Sequence, residues 1–283
     1  MNEIEYFNPT KLREALKLLS RYKEKAAILA GGTELVVDMK SGKRKPQVII
    51  NIKNIDSLKS IIFSKNKVKI GPLVTIAEIE DNPDLNEKIP VLCKAASVIG
   101  SRQIRNIATI GGNIANASPC ADMVPPLIAL DARVKLHSEK DTRDILLEDF
   151  FLGPGETVAG FNKILGDIEV DIPGPNTRIA HQFITLRRAM DVTIASIVVR
   201  IDLTSKGIKK PKIVMGAVAP TPTRSLKGEL LLHNKAPAQV DINGVAATAA
   251  AECKPISDVR ASAEYRREMV RVLTKKALEE VLL

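Results

Sequence analysis

Two Gly-Gly turns stand eighty positions apart in this chain, and they constrain its fold more than any other feature. The first, Ala30-Gly31-Gly32-Thr33-Glu34-Leu35, follows the apolar run Ala26 to Ala30. The second, Thr109-Ile110-Gly111-Gly112-Asn113, is followed by Ala117-Ser118-Pro119. Each reads as a strand that ends in a glycine turn. Glycine lets a backbone take positive φ and approach a ligand closely, since no Cβ stands in the way. Successive N–H groups of such a turn can converge on one anion, most often a phosphate. Two such turns in one domain point to a ligand with two phosphates, such as a dinucleotide. A tight turn without a ligand is the alternative for either one alone. Neither segment is the Rossmann pattern, because Gly31-Gly32 has no third glycine at the required offset, and neither is a P-loop, because no Gly-Lys-Ser/Thr follows.

Bulk properties narrow the function classes. The 283 residues fill one large domain or two of ordinary size, and 45% hydrophobic content supplies a core. Aromatics are 3% and Trp is absent, which removes the stacking platforms that single-stranded nucleic acid needs. The net charge of +9 comes from scattered Lys and Arg, and the short groups Lys40 to Lys45 and Lys209 to Lys212 sit where turns are expected. A solvated basic surface is therefore expected, with an acidic partner or an anionic ligand as the alternative and no nucleic-acid partner. Cys93, Cys120 and Cys253 are far apart and form no CxxC, so neither a zinc site nor an iron–sulfur cluster is expected in this chain. Three free thiols fit a reducing compartment and a cytoplasmic location. The opening Met-Asn-Glu-Ile-Glu does not read as a signal peptide, and no run of eighteen apolar residues predicts a membrane span. His137, His181 and His233 lack ligand spacing and read as surface or turn residues.

Along the chain, Asn8-Pro9 predicts a helix start, with Leu12, Ala15, Leu16, Leu19 and Tyr22 at helical spacing. Ala26 to Ala30 and Val48 to Ile52 read as strands, with a short helix around Leu35, Val36 and Met39 between them. Ile61 to Phe63 and Val68 to Ile70 flank a hairpin turn. Thr75 to Glu78 has capping-box spacing. Ile89 to Ile99 predicts a helix closed by Gly100, and Val134 to Leu136 a strand. Pro173-Gly174-Pro175-Asn176 is the expected domain boundary. Beyond it, Val192 to Leu203 and Ile213 to Val218 are β-rich, and Thr223 to Leu232 and Val240 to Ala251 read as helices. The segment Ala263 to Leu283 places Tyr265, Met269, Val272, Leu273, Leu278 and Val281 on one helix face. The predicted class is α+β.

The order of these segments resembles the FAD-binding medium subunit of the molybdenum hydroxylases, the xanthine dehydrogenase and carbon monoxide dehydrogenase family. The stretches carrying the resemblance are YFNPTKLREALKLLS, ILAGGTELVVDMK and GSRQIRNIATIGGNIANASPCADMVPPLIALDA, then FFLGPGETV, LRRAMDVTIASIVVRIDL and SAEYRREMVRVLTKKAL. Together they cover essentially the whole chain. The resemblance implies a two-part FAD-binding domain of the PCMH, or vanillyl-alcohol-oxidase-like, type over residues 1–174, with subdomains of about 1–56 and 57–174. A smaller sheet-plus-helices domain would follow over 175–283.

It also implies residue roles. Ile28, Leu29, Ala30, Gly31, Gly32, Thr33, Glu34 and Leu35 would form the first flavin loop, with the amides of Gly31 to Glu34 on the pyrophosphate. Thr109, Ile110, Gly111, Gly112 and Asn113 would complete the cradle. Ser118 and Asp122 would add polar contacts, and Ile99, Ile164 and Leu165 would wall the flavin. Asp122 taken alone also suits a helix N-cap. Glu34 stands where Asp is usual, and Phe183 falls where eukaryotic enzymes carry a Lys near the flavin. Arg187 and Arg188 read as solvated or inter-subunit, Cys120 as a small buried residue, and Tyr265 as core or interface. The cysteines of the subgroup with an inserted [4Fe–4S] loop are missing. An oxidase with covalently held FAD is the alternative within the fold group, but no His or Cys attachment site stands in the loop.

By the same resemblance the chain is an oxidoreductase subunit without catalytic acid, base or metal of its own. A large molybdopterin subunit and a small subunit with two [2Fe–2S] clusters would be its partners, in an (αβγ)2 assembly. Electrons would pass from the clusters to FAD and on to NAD+, a quinone or another acceptor.

Overall fold

The computed structural model describes residues 4–187 and 190–283. The first three residues of the polar opening, and Arg188 and Ala189 within the Leu186 to Leu203 landmark, lie outside the described residues. The chain forms two compact units that are not consecutive in sequence. The first comprises the chain up to Ile79, Arg102–Ala117 and Ala132–Asp171; the second comprises Glu80–Ser101, Ser118–Asp131 and Ile172–Leu283.

The first unit begins with a three-stranded parallel sheet in the order Glu5–Phe7, Val48–Asn51, Ala26–Leu29. Parallel neighbours need a crossover, and the helix Leu35–Lys40 supplies it between the last two strands. The helix Leu12–Tyr22 buries Ala15, Leu16 and Leu19 against Val48, Ile50 and Ile52. Leu73 and Ile164 complete that cluster, which ties the sheet to the rest of the unit. A five-stranded antiparallel sheet follows, in the order Ile61–Phe63, Lys67–Ile70, Ile164–Asp171, Arg133–His137, Thr142–Leu146. The capping box at Thr75 forms as its spacing predicts: the Thr75 amide donates to Glu78 Oε2 at 2.7 Å, and the Glu78 amide donates to Thr75 Oγ1 at 3.2 Å.

The second unit is built on a four-stranded antiparallel sheet, Thr177–Ile184, Ala195–Thr204, Gly207–Gly216 and Thr223–Arg224. Its core joins Ile197, Val199, Ile213 and Met215 to Val245, Ala249, Val270 and Leu278 from the helices Ile242–Glu252 and Ala263–Leu282. Among the described residues, no helix is long and apolar enough to cross a membrane.

Several expectations are corrected. The first helix starts at Leu12, not at Pro9, because the Asn8 side chain accepts a hydrogen bond from Asn51 Nδ2 at 3.1 Å and so is not a cap. Residues 223–224 form a short strand, and the following helix is confined to Leu226–Leu232. The terminal helix buries Arg266, Val270, Thr274 and Ala277 as well as Leu273, Leu278 and Val281, while Tyr265 is 43% exposed. The buried face is therefore rotated toward positions that include two polar residues, Arg266, which donates to Ile194 O, Ala217 O and Asp258, and Thr274, whose hydroxyl has no hydrogen-bond partner among the described residues. Lys209 to Lys212 do not form a turn but lie within the strand Gly207–Gly216. Lys212 is buried there, donating to Asp131 Oδ1 and the Ile128 carbonyl. His181 is likewise not at the surface: it sits in the strand Thr177–Ile184 and is 2% exposed.

Candidate cofactor-binding site

The first glycine corner grows directly from the strand Ala26–Leu29. The strand is held in register by Val48–Asn51, and the Ile52 amide donates to Leu29 O at 3.0 Å, which fixes where it ends. Gly31 then passes so close to another backbone segment that a Cβ would lie 2.2 Å from Ile107 O and 2.9 Å from Ala108 Cα. Gly32 turns the chain with φ +82, a region that disfavours residues with a Cβ. The Val36 amide donates back to Gly32 O at 3.1 Å and starts the helix Leu35–Lys40. Among the described residues, the amides of Gly31, Gly32, Thr33 and Glu34 donate to no protein acceptor. Such a row of unused donors in one tight corner suits an anion.

The second corner differs from its expectation. It is not a strand ending in a turn but the capped start of a helix, Ile110–Ala115, with Thr109 as N-cap. Thr109 makes an isolated antiparallel bridge with Thr75. The amides that follow are all used inside the protein. Ile110 donates to Val74 O at 3.0 Å, Gly111 to Pro72 O at 2.9 Å, Gly112 to Thr109 Oγ1 at 3.0 Å and Asn113 to Thr109 O at 2.9 Å. A Cβ at Gly111 would lie 2.5 Å from Pro72 Cβ and 2.6 Å from Pro72 O. The glycine is there for the chain's own close packing, and positive φ is not involved, as it is not at Gly31 or Gly112. One polar atom stays unmatched: the Asn113 side-chain oxygen is buried without a hydrogen-bond partner. Buried polar atoms are paired in most native structures, so an orphan of this kind calls for a donor from outside the chain.

Within the first unit, then, the two corners are neighbours. Gly31 packs on Ile107 and Ala108, immediately before Thr109. Ile28 and Ala30 also pack on the cluster that contains buried Ile164, and Leu165 is buried beside it on the same strand.

The remaining candidates belong to the second unit. Ile99 and Ser118 are half-buried, and Ser118 Oγ accepts from the Cys120 amide at 3.3 Å. Asp122 does not cap the helix Val124–Ala129, whose N-cap residue is Met123. Its carboxylate instead accepts from Thr193 Oγ1 at 2.6 Å. Loss of hydration pushes this carboxyl up to about 6, against the opposing pull of the Thr193 hydrogen bond. Thr193 is 2% exposed and was not singled out by any sequence motif. The backbone one residue on is held by Arg266, which donates to Ile194 O at 2.7 Å and to Ala217 O at 3.1 Å. Arg187 is exposed, donates to Met190 O at 2.7 Å and pairs with Asp191 at 3.6 Å, and Cys120 is a half-buried free thiol whose ionisation burial pushes upward.

Comparison with known proteins matches residues 2–174 to a family described as the FAD binding domain in molybdopterin dehydrogenase. Residues 183–281 match the CO dehydrogenase flavoprotein C-terminal domain. The chain is 34% identical over 279 residues to the glyceraldehyde dehydrogenase medium chain of Sulfolobus acidocaldarius, covering 99% of this chain and 98% of that one. It is 28% identical to the putative xanthine dehydrogenase FAD-binding subunit of Escherichia coli, covering 98% and 95%. Among solved structures, a carbon monoxide dehydrogenase from Hydrogenophaga pseudoflava that lacks the Mo-pyranopterin moiety matches with a TM-score of 0.95 and 30% identity. That match covers 99% of this chain and 97% of the other.

Proposed function

Because the chain belongs to the family of FAD-binding flavoprotein subunits of molybdopterin dehydrogenases, we propose that it is the FAD-carrying electron-transfer subunit of a multi-subunit molybdenum hydroxylase. Its partners in this reading are a large molybdopterin subunit and a small subunit with [2Fe–2S] clusters, in a cytoplasmic (αβγ)2 complex. Electrons arrive from the clusters and leave to NAD+, a quinone or another acceptor. FAD supplies the exchange between one-electron input and two-electron output when bound.

The observation that carries this reading is the row of four amides from Gly31 to Glu34 that no protein acceptor uses. These donors would hold the pyrophosphate, with the Thr33 hydroxyl beside them. They would offset its charge without a lysine, through fixed dipoles. The second corner would contribute differently, because its amides are occupied. The Asn113 oxygen is an acceptor, so it would take a hydroxyl or N–H of the nucleotide and not a phosphate oxygen. Ile164 and Leu165 would exclude water from the ring system, Ile99 would add apolar contact, and Ser118 and Asp122 would add polar ones.

The test is the purified full chain, alone and with co-expressed neighbouring subunits. The chain is expected to retain FAD at about one per polypeptide, with flavin absorbance near roughly 450 nm, and to bring down molybdenum and iron–sulfur proteins. A colourless chain that takes up no added FAD overturns the proposal.

A further inference from the structure

The second unit holds a cavity of about 760 Å3, bounded by the helix Pro90–Ser97, the strand Thr177–Ile184 and the 173–175 turn. This volume is in the range of small-molecule sites. All of its lining residues lie in that one unit. His181 stands in its wall, 2% exposed, and neither ring nitrogen has a hydrogen-bond partner. A buried polar group left unpaired is costly, and native structures rarely keep one without a partner. Burial, and secondarily the charge of Lys94, holds the imidazole down to about 3, so the ring is neutral and presents one N–H and one bare nitrogen. Lys94 is exposed on the same wall, and among the described residues its ammonium makes no ion pair. The apolar part of the wall includes Ile89 and Ile179, while Glu80 and Glu280 place two carboxylates along the lining.

A second cavity, within the first unit, shows what an unassigned surface hollow looks like. It is about 440 Å3, and both arginines of its lining are paired, Arg133 with Asp144 at 2.6 Å and Arg143 with Asp141 outside the lining at 3.1 Å, while Lys163 donates to Val158 O at 3.2 Å. Among the described residues, no orphaned polar atom lines it.

We propose that the His181 cavity is a binding site for a small organic monocarboxylate with an apolar body. The Lys94 ammonium takes the carboxylate, the His181 N–H donates a second hydrogen bond, and the Ile89–Ile179 side receives the apolar part. Lys88, the second cation of the lining, is already paired with Asp84 at 3.6 Å, so Glu80 and Glu280 disfavour ligands that carry two or more negative charges, phosphates included. None of the residues named here belongs to the proposed FAD site, so the two readings stand or fall separately.

The full chain, loaded with FAD, is titrated with 4-fluorobenzoate and followed by 19F NMR. The neutral 4-fluorobenzyl alcohol and the dianion phenyl phosphate serve as controls. Binding of 4-fluorobenzoate is expected, with both controls at least roughly tenfold weaker. Lys94→Ala and His181→Phe are each expected to weaken it by roughly tenfold or more, with the flavin spectrum unchanged. No binding by the parent chain at millimolar probe overturns the proposal, as an ordered water on His181 would produce. Equal affinity in Lys94→Ala, or preference for phenyl phosphate, also overturns it. Lys94 is exposed, so its variant decides the matter even where His181→Phe does not fold.

Discussion

At Gly31–Gly32 four successive amides find no acceptor among the described residues, whereas at Gly111–Gly112 every amide from Ile110 to Asn113 is already bonded within the protein. The two Gly-Gly pairs look alike in sequence and do different work. In both corners one glycine is required by the chain's own backbone, through Ile107 O at Gly31 and Pro72 at Gly111. Only the first corner also leaves donors for something else. A glycine pair therefore identifies a place where chains pass closely, and the hydrogen-bond account of that place shows whether a ligand is served.

The largest effect expected is at the two close approaches. Gly31→Ala sets a Cβ 2.2 Å from a backbone carbonyl, and Gly111→Ala sets one 2.5 Å from Pro72. Backbone cannot step aside as a flexible side chain can, so each is expected to lower stability by about 3 kcal/mol or more, measured by urea denaturation of the flavin-free chain. Gly32→Ala meets mainly the Leu29 side chain and is strained by φ +82, so a smaller loss of about 1–2 kcal/mol is expected. Unchanged stability in flavin-free Gly31→Ala would mean that the glycine serves the ligand alone, and the comparison would fail.

Asp122 extends the comparison, because its carboxylate already has an internal donor in Thr193. Its folded value is raised from 3.8 to about 6, so its contribution is fully present below about pH 4 and is lost as pH rises through about 6. Flavin-free protein is expected to lose up to about 3 kcal/mol across that window relative to Asp122→Asn, read from melting temperature against pH. Loading with FAD is expected to move the window if Asp122 touches the cofactor. A window that stays in place leaves Asp122 as a partner of Thr193 only.

Next in size is Asn113→Ala, which removes the orphaned oxygen of the second corner. Stability of the flavin-free chain is expected to change little, because no protein hydrogen bond is lost, while FAD affinity falls roughly tenfold. Equal affinity, measured by fluorescence titration, would leave the second corner with no part in holding the cofactor.

Much of the first unit was legible because its signals are local. The capping box at Thr75, the hairpin around Ser64 to Asn66 and the helix after Gly32 each depend on residues within a few positions. What the sequence concealed depends on distant partners. Lys212 reads as solvated until Asp131 is found beneath it, and His181 reads as a turn residue until the strand Thr177–Ile184 places it inside. The second glycine corner reads as a strand because Val74 and Pro72, which take its amides, lie more than thirty residues earlier. Thr193 is the sharpest case, since its importance comes from Asp122, seventy-one positions away.

The smallest effect tests the second corner as a self-contained piece of structure. Thr109 Oγ1 accepts from the Gly112 amide, and losing such a cap costs about 1 kcal/mol. Thr109→Ala is expected to lose that amount, and Thr109→Ser to recover most of it, since the hydroxyl is kept. The freed Gly112 amide then becomes a donor with no protein acceptor, as those of Gly31 to Glu34 already are. If Thr109→Ala holds FAD more tightly despite its lower stability, a freed amide at the second corner has been recruited by the anion. The two corners would then differ in occupancy by the protein's own acceptors and not in their geometry.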